Sequence, residues 1–175
     1  MPRSYKLKLV LGGSQNSGKT TFINSNRNKN SPIGVSFESI ECFVNEGDYF
    51  KFIVWDLKDS ERFRFLFPIF CRGASAGLLC VDLSNRESFL DLTRWITLFR
   101  ESTGGIPIIL IGTKSDVAKR EVSGVDEEFA FGTESPEKIS AGIVIISDTK
   151  GGRKVLFDEI GFLHRVDVRK TKTGE

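Results

Sequence analysis

The sequence lacks any apolar run near the ~20 residues that a membrane-spanning helix needs. Its first stretch, MPRSYKLK, is polar and basic and holds no apolar segment for a secretory signal. Paired cysteines are lacking too: Cys42, Cys71 and Cys80 show neither metal-binding nor disulfide spacing. Cys42 and Cys80 fall inside apolar runs, where a free thiol acts as a small hydrophobe, so a reducing, cytoplasmic compartment is expected. No sign of charge dominates: 25 Lys and Arg stand against 23 Asp and Glu, a net charge of +2. That balance speaks against a dedicated nucleic-acid surface. Its basic excess gathers between Arg165 and Lys172, and residues 166–175 are expected to form a frayed, solvated tail. The closing RKTKTGE has no cysteine, hence no prenylation motif; a longer C-terminus bearing a lipid would bring the protein to the periphery of membranes. Internal repeats and low-complexity linkers are missing as well. The 175 residues therefore read as one domain, a monomer with enough chain for a core without staples.

What is present is an alternation of apolar runs and helical stretches. Strands are expected at residues 5–11, 37–45, 49–57, 76–83, 107–112 and 142–146. GLLCVD and PIILIG are almost wholly apolar, as strands covered on both faces must be. The second and third runs are split by Glu46, Gly47 and Asp48, a hairpin turn that makes them an antiparallel edge pair. Residues 87–102 set Phe89, Leu92, Trp95, Ile96 and Phe99 at three- and four-residue steps, a helix with Ser84 or Asn85 as N-cap. Residues 154–166 repeat that spacing, and a short helix is expected around 125–131. The sum is an α/β fold: a six-stranded, mostly parallel sheet with one antiparallel edge strand and helices on both faces.

The first strand ends in GGSQNSGKTTF. Gly13 and Gly18 allow a tight turn whose N–H groups point inward, so Gly13, Ser14, Gln15, Asn16, Ser17, Gly18, Lys19, Thr20 and Thr21 are candidates to cradle a polyphosphate at a helix start. Lys19 adds charge between the outer phosphates and the Thr20 hydroxyl suits Mg²⁺. Asp56 ends the third strand, where ligands of such sheets bind, and can hold Mg²⁺ through a water. After the fifth strand come Thr113, Lys114, Ser115 and Asp116; a carboxylate there accepts two hydrogen bonds from guanine's ring N–H and amino group, a pair adenine does not offer. Ser147, Asp148 and Thr149 follow the sixth strand, placed to present a backbone N–H to guanine's carbonyl oxygen.

In this order, residues 13–20, Trp55-Asp56, Glu61-Arg62-Phe63, Arg72-Gly73-Ala74, Glu87-Ser88-Phe89 and Thr113-Lys114-Ser115-Asp116 resemble the Ras-superfamily small GTPases. IGVSF, WDLKDSERFR and CRGASAGLLCVDLSNRESF look most like the Rab branch. The resemblance covers residues 5–116 well, and the last third by its strand and terminal helix. It implies a P-loop NTPase fold of small-GTPase type that binds GTP or GDP with Mg²⁺ and switches two loops by the γ-phosphate. It also implies exchange factors, activating proteins and effectors at those loops.

Several positions depart from the family pattern. Pro32 stands where the family's first switch carries a threonine that binds Mg²⁺ and the γ-phosphate, with Ser31 beside it. Lys19 to Pro32 is about half a dozen residues short, which removes the aromatic that covers the base; Phe22 lies too near the phosphate loop to replace it. Asp59 replaces the second-switch glycine whose N–H senses the γ-phosphate, a repulsive charge unless Mg²⁺ or Lys58 screens it. Ser60 replaces the glutamine that orients the attacking water. With Lys19 and Ser60 as the catalytic positions, nucleotide binding is expected to persist and hydrolysis to be very slow. Arg62 or Arg64 could reach the phosphates or lie on the surface, and Phe63, Phe65, Phe67 and Phe70 could pack under the sheet or form a partner site. Two readings stand: a slow guanine-nucleotide switch, and a pseudo-GTPase that recruits partners whatever nucleotide it holds. An ATP-specific P-loop protein is a weaker third.

Overall fold

A computed structural model describes residues 3–23, 33–44, 48–114 and 144–145. Six strands form one sheet: β1 (Ser4–Gly12), β2 (Val35–Val44), β3 (Asp48–Leu57), β4 (Ala76–Asp82), β5 (Ile108–Thr113) and β6 (Val144–Ile145), in the order β2-β3-β1-β4-β5-β6. β2 runs antiparallel to β3 in an unbroken register from Val35 opposite Leu57 to Val44 opposite Asp48, while the other pairings are parallel. The expected antiparallel edge pair and buried parallel centre are both there, and the turn at Glu46 and Gly47 lies outside the described residues. β1 pairs with β3 on one side and β4 on the other, so the sheet switches direction of winding at β1. Ligands of open α/β sheets bind outside the carboxyl ends of strands at such a point.

Alternation along the central strands builds two cores. Leu7, Leu9, Leu11, Phe50, Phe52, Val54, Leu78 and Cys80 point to one face, where Phe22 and Ile23 of α1 (Lys19–Ile23) join them. Val10, Leu79 and Val81 point to the other, against Phe67 and Cys71 of α2 (Phe67–Cys71) and Leu92, Trp95 and Phe99 of α4 (Leu92–Thr103). Trp95 and Phe99 are fully buried and approach the sheet closely because Gly12 and Gly77 carry no side chain; a Cβ would sit 2.5 Å from either ring. Phe67 stacks on Trp95 with ring centroids 5.5 Å apart.

The expected helix over 87–102 is two helices, α3 (Arg86–Leu90) and α4, meeting at Asp91. Asn85 is the N-cap, its side chain accepting from the Glu87 N–H at 3.0 Å. At Asp91 ψ rises to −9° and the helix is interrupted, while its carboxylate accepts from Arg94 one turn on and from Ser14 across the fold. The aromatic-rich stretch after β3 is a 3₁₀ turn (Glu61–Leu66) leading into α2. Its phenylalanines divide between both expectations: Phe67 is buried, Phe63 and Phe70 are half-buried, and Phe65 is 73% exposed. Among the described residues no helix is long and apolar enough to cross a membrane. The helices expected at 125–131 and 154–166 and the tail 166–175 lie outside the described residues.

Candidate functional site

The carboxyl ends of β1, β3, β4 and β5 bring together Gly13, Asp56, Asp82 and Thr113. Gly13 follows β1 with φ of 134°, and a Cβ there would lie 2.4 Å from the Cys80 carbonyl oxygen, so the loop passes where a larger residue does not fit. The chain then turns through Asn16 (φ 63°) and Gly18 (φ 82°), and the Phe22 N–H meets the Gly18 carbonyl at 2.8 Å to start α1. Gln15, Asn16, Thr20 and Thr21 are exposed along this turn, Ser14 and Gly18 are half-buried, and Ser17 is buried.

Lys19 folds back into the loop. Its Nζ donates to the Gly13 carbonyl at 2.5 Å and the Ser14 carbonyl at 2.6 Å, with Ser17 Oγ at 3.5 Å. The side chain is 8% exposed. Burial pulls its pKa down, and Asp56, Cys80 and Asp59 push it up while Arg94 pulls it down. A desolvated ammonium fixed at the centre of a glycine turn is a strong attractor for phosphate oxygens.

Thr20 and Asp56 form a second corner. Thr20 Oγ1 donates to Asp56 Oδ2 at 3.3 Å. Asp56 is buried, which raises its pKa, while Lys19 and the Thr20 hydroxyl lower it. A hydroxyl and a carboxylate are hard oxygen donors, and neighbouring ligands of an octahedral Mg²⁺ stand about 3 Å apart. This donor pair would fit that ion, Thr20 through its hydroxyl and Asp56 through a water.

Thr113 reaches the loop from below. It is 2% exposed, and Oγ1 lies 2.8 Å from the Ser17 carbonyl and 3.0 Å from the Val81 carbonyl, so its one proton is shared between them. Thr113 thus ties β5 to the glycine turn after β1. Lys114, at φ 56°, pairs with Asp82 at 2.5 Å. Asp116, Ser147, Asp148 and Thr149 lie outside the described residues, as do Ser31 and Pro32. Phe22 is buried in the core, which takes it away from any base.

The second-switch loop follows Asp56. Ser60 is half-buried and leads into the 3₁₀ turn. Asp59 is held by two arginines: Arg94 Nη2 at 3.1 Å and Arg64 Nη2 at 3.3 Å. Of the two screens expected, Mg²⁺ or Lys58, Lys58 is exposed, its N–H bonded to the Gly34 carbonyl at 2.9 Å, and the two arginines stand against the carboxylate in its place. Arg62 is exposed, with its guanidinium 5.3 Å from the Phe63 ring centroid. Sequence reading missed Asp91 and Arg94. Their i,i+3 spacing signals a local ion pair, but nothing local signals the hydrogen bond from Ser14 Oγ to Asp91 Oδ2 at 2.8 Å.

The Ras family model matches residues 8–136. Over 124 residues the chain is 36% identical to "Ras-related protein RabL" of Dictyostelium discoideum, covering 67% of this chain and 60% of that protein. Over 127 residues it is 36% identical to "Ras-like GTP-binding protein RYL2" of Yarrowia lipolytica, covering 69% and 60%. "Ras-related protein RabN1" of D. discoideum is 33% identical over 131 residues, covering 67% and 61%. The chain spans about three fifths of the length of these curated relatives.

Proposed function

The chain belongs to the Ras family, near its Rab branch, and from that premise we propose that it binds GDP and GTP with Mg²⁺ and acts as a slowly hydrolysing molecular switch. The observation that carries the reading is the buried Lys19 ammonium seated in the glycine turn beside the Thr20–Asp56 oxygen pair. Lys19 and the loop N–H groups neutralise and orient the phosphates. Thr20 and Asp56 hold the Mg²⁺, which supplies charge neutralisation between the outer phosphates when bound. Asp116 selects guanine, with Lys114 and the Ser147–Asp148–Thr149 stretch beside the base, and Thr113 keeps the loop in register with that side.

Hydrolysis needs a group that orients water against the γ-phosphate, and the Ser60 hydroxyl is far shorter than the amide it replaces. Positioning is most of what these proteins contribute to phosphoryl transfer, so turnover is very slow without a partner. Exchange factors, activating proteins and effectors meet the chain at its switch regions. Ile33, Phe37, Phe65 and Ile69 are 48%, 51%, 73% and 61% exposed there, with Phe37 packed edge-on to Trp55. Cys71 and Cys80 are buried among apolar side chains, which suits a reducing, cytoplasmic setting.

Single-turnover hydrolysis of preloaded GTP tests the reading. Slow but measurable release of phosphate, accelerated by Ser60→Gln, is the expected result. No hydrolysis in either protein would return the reading to a non-hydrolysing interaction module.

A further inference from the structure

A chain of charges runs from the second switch to the phosphate loop through the start of α4. Arg64 Nη2 meets Asp59 Oδ1 at 3.3 Å, Arg94 Nη2 meets Asp59 Oδ2 at 3.1 Å, and the same Arg94 grips Asp91 through Nε and Nη2, both at 2.6 Å. Asp91 Oδ2 in turn accepts from Ser14 Oγ, one residue past Gly13. Exposed Glu61 joins at the rim, 3.9 Å from Arg64 Nη1, and Asp59 is the more deeply placed partner: its side chain is 9% exposed, against 33% for Arg94 and 43% for Arg64. A desolvated carboxylate depends on its counter-ion, and Arg94, less exposed and also held by Asp91, is the better fixed of the two. Both members of the pair act electrostatically on the buried Lys19, with opposite signs. Asp59 follows closely on Asp56 in the chain, and Arg94's other partner, Asp91, accepts from Ser14 of the glycine turn, so the pair stands beside the turn that seats Lys19.

We propose that Arg94 is a specificity-determining residue for the triphosphate: by pairing with Asp59 it neutralises and holds back a carboxylate that would otherwise repel the outermost phosphate. The proposal rests on the guanine-nucleotide reading above and deepens it. In a family member whose second switch carries Asp59, discrimination between tri- and diphosphate is then set from α4. Ser14 completes the device, because the hydroxyl bound to Asp91 links the arginine's position to the loop that touches the phosphates. Arg94 acts through Asp59 and is a positioning residue.

The test is a titration of the full chain, in Mg²⁺, with GDP and with a non-hydrolysable GTP analogue. An unscreened unit charge at an effective dielectric near 20 changes affinity about tenfold even from ~12 Å. Arg94→Gln should therefore weaken the GTP analogue about tenfold more than it weakens GDP, which lacks the outermost phosphate charge. Arg94→Lys should restore most of the loss, and so should adding Asp59→Asn to Arg94→Gln, since no carboxylate is left to neutralise. Asp59→Asn alone, which leaves Arg94 in place and removes no buried bulk, should shift the ratio toward the GTP analogue. Equal losses for both nucleotides in Arg94→Gln, no recovery in the double variant, or an unchanged ratio in Asp59→Asn would each overturn the role of Arg94 and leave nucleotide binding intact. A wild-type chain that binds neither nucleotide would overturn the guanine-nucleotide reading itself, and the role of Arg94 with it.

Discussion

Replacing Thr113 by valine keeps the shape of the side chain and removes one hydroxyl. In the native protein that hydroxyl lies 2.8 Å from the Ser17 carbonyl and 3.0 Å from the Val81 carbonyl in a site that is 2% exposed. Water has little access to make good the loss. A neutral buried hydrogen bond contributes ~1 kcal/mol, and stranding its partner costs ~1–3 kcal/mol, so the variant should lose about 2 kcal/mol of stability. For a chain of this size that is a fall in Tm of about 4–8 °C, or of about 1 M in the urea midpoint. Thermal or urea unfolding should be followed with nucleotide and metal stripped by a chelator, so that no ligand contributes. Thr113→Ser is the control: it keeps the hydroxyl and loses the methyl that packs 3.3 Å from where a Gly18 Cβ would lie. Its cost should be ~0.8 kcal/mol. A valine variant as stable as wild type, or a serine variant worse than the valine one, would show that the hydroxyl is not committed to the loop.

Other consequences follow from the same geometry. Trp95→Ala empties the seat between Gly12, Phe67 and Phe99 and should cost ~3–5 kcal/mol in chemical denaturation. Burial raises the Asp82 pKa, but the hydrogen bonds from Lys114 and Ser84 outweigh it and leave the carboxyl below its ordinary value. A depressed pKa contributes stability that is present above the unfolded value of about 4 and is lost as pH falls through the folded one. Asp82→Asn should therefore flatten the acid limb of stability plotted against pH, and an unaltered limb would contradict that assignment. Asp56→Ala should bind GDP weakly and be insensitive to chelation, whereas wild-type affinity should fall when Mg²⁺ is removed; equal sensitivity in both would take Asp56 out of the metal site.

The strands were legible to within a residue or two because burial on two faces forces nearly continuous apolar runs such as GLLCVD, and the edge pair because its turn chemistry is local. The tight turn after β1 was legible for a similar reason: its glycines and lysine act within one turn of chain. What could not be read was long-range. Asp91 interrupts a helix whose apolar spacing runs through it, and its side-chain partner Ser14 lies far away in sequence. For Asp59 the sequence offers Mg²⁺ or Lys58 as the screen, and α4 delivers Arg94 to it instead. Thr113 read as a residue near the base, and burial turns it under the loop. The phenylalanines after β3 share one composition, but a 3₁₀ turn followed by a short helix sends Phe65 outward and Phe67 inward, which no single periodicity describes.

The most direct check on guanine-nucleotide binding is to incubate the purified full chain with excess GDP and Mg²⁺, remove free nucleotide by gel filtration, denature the protein and quantify what is released by ion-exchange chromatography. About one equivalent of guanine nucleotide per chain, lost in Lys19→Ala, is expected from a charge-assisted phosphate cradle. Release of none, or equal retention by the Lys19 variant, would contradict the assignment of Gly13 to Thr20 as the phosphate site.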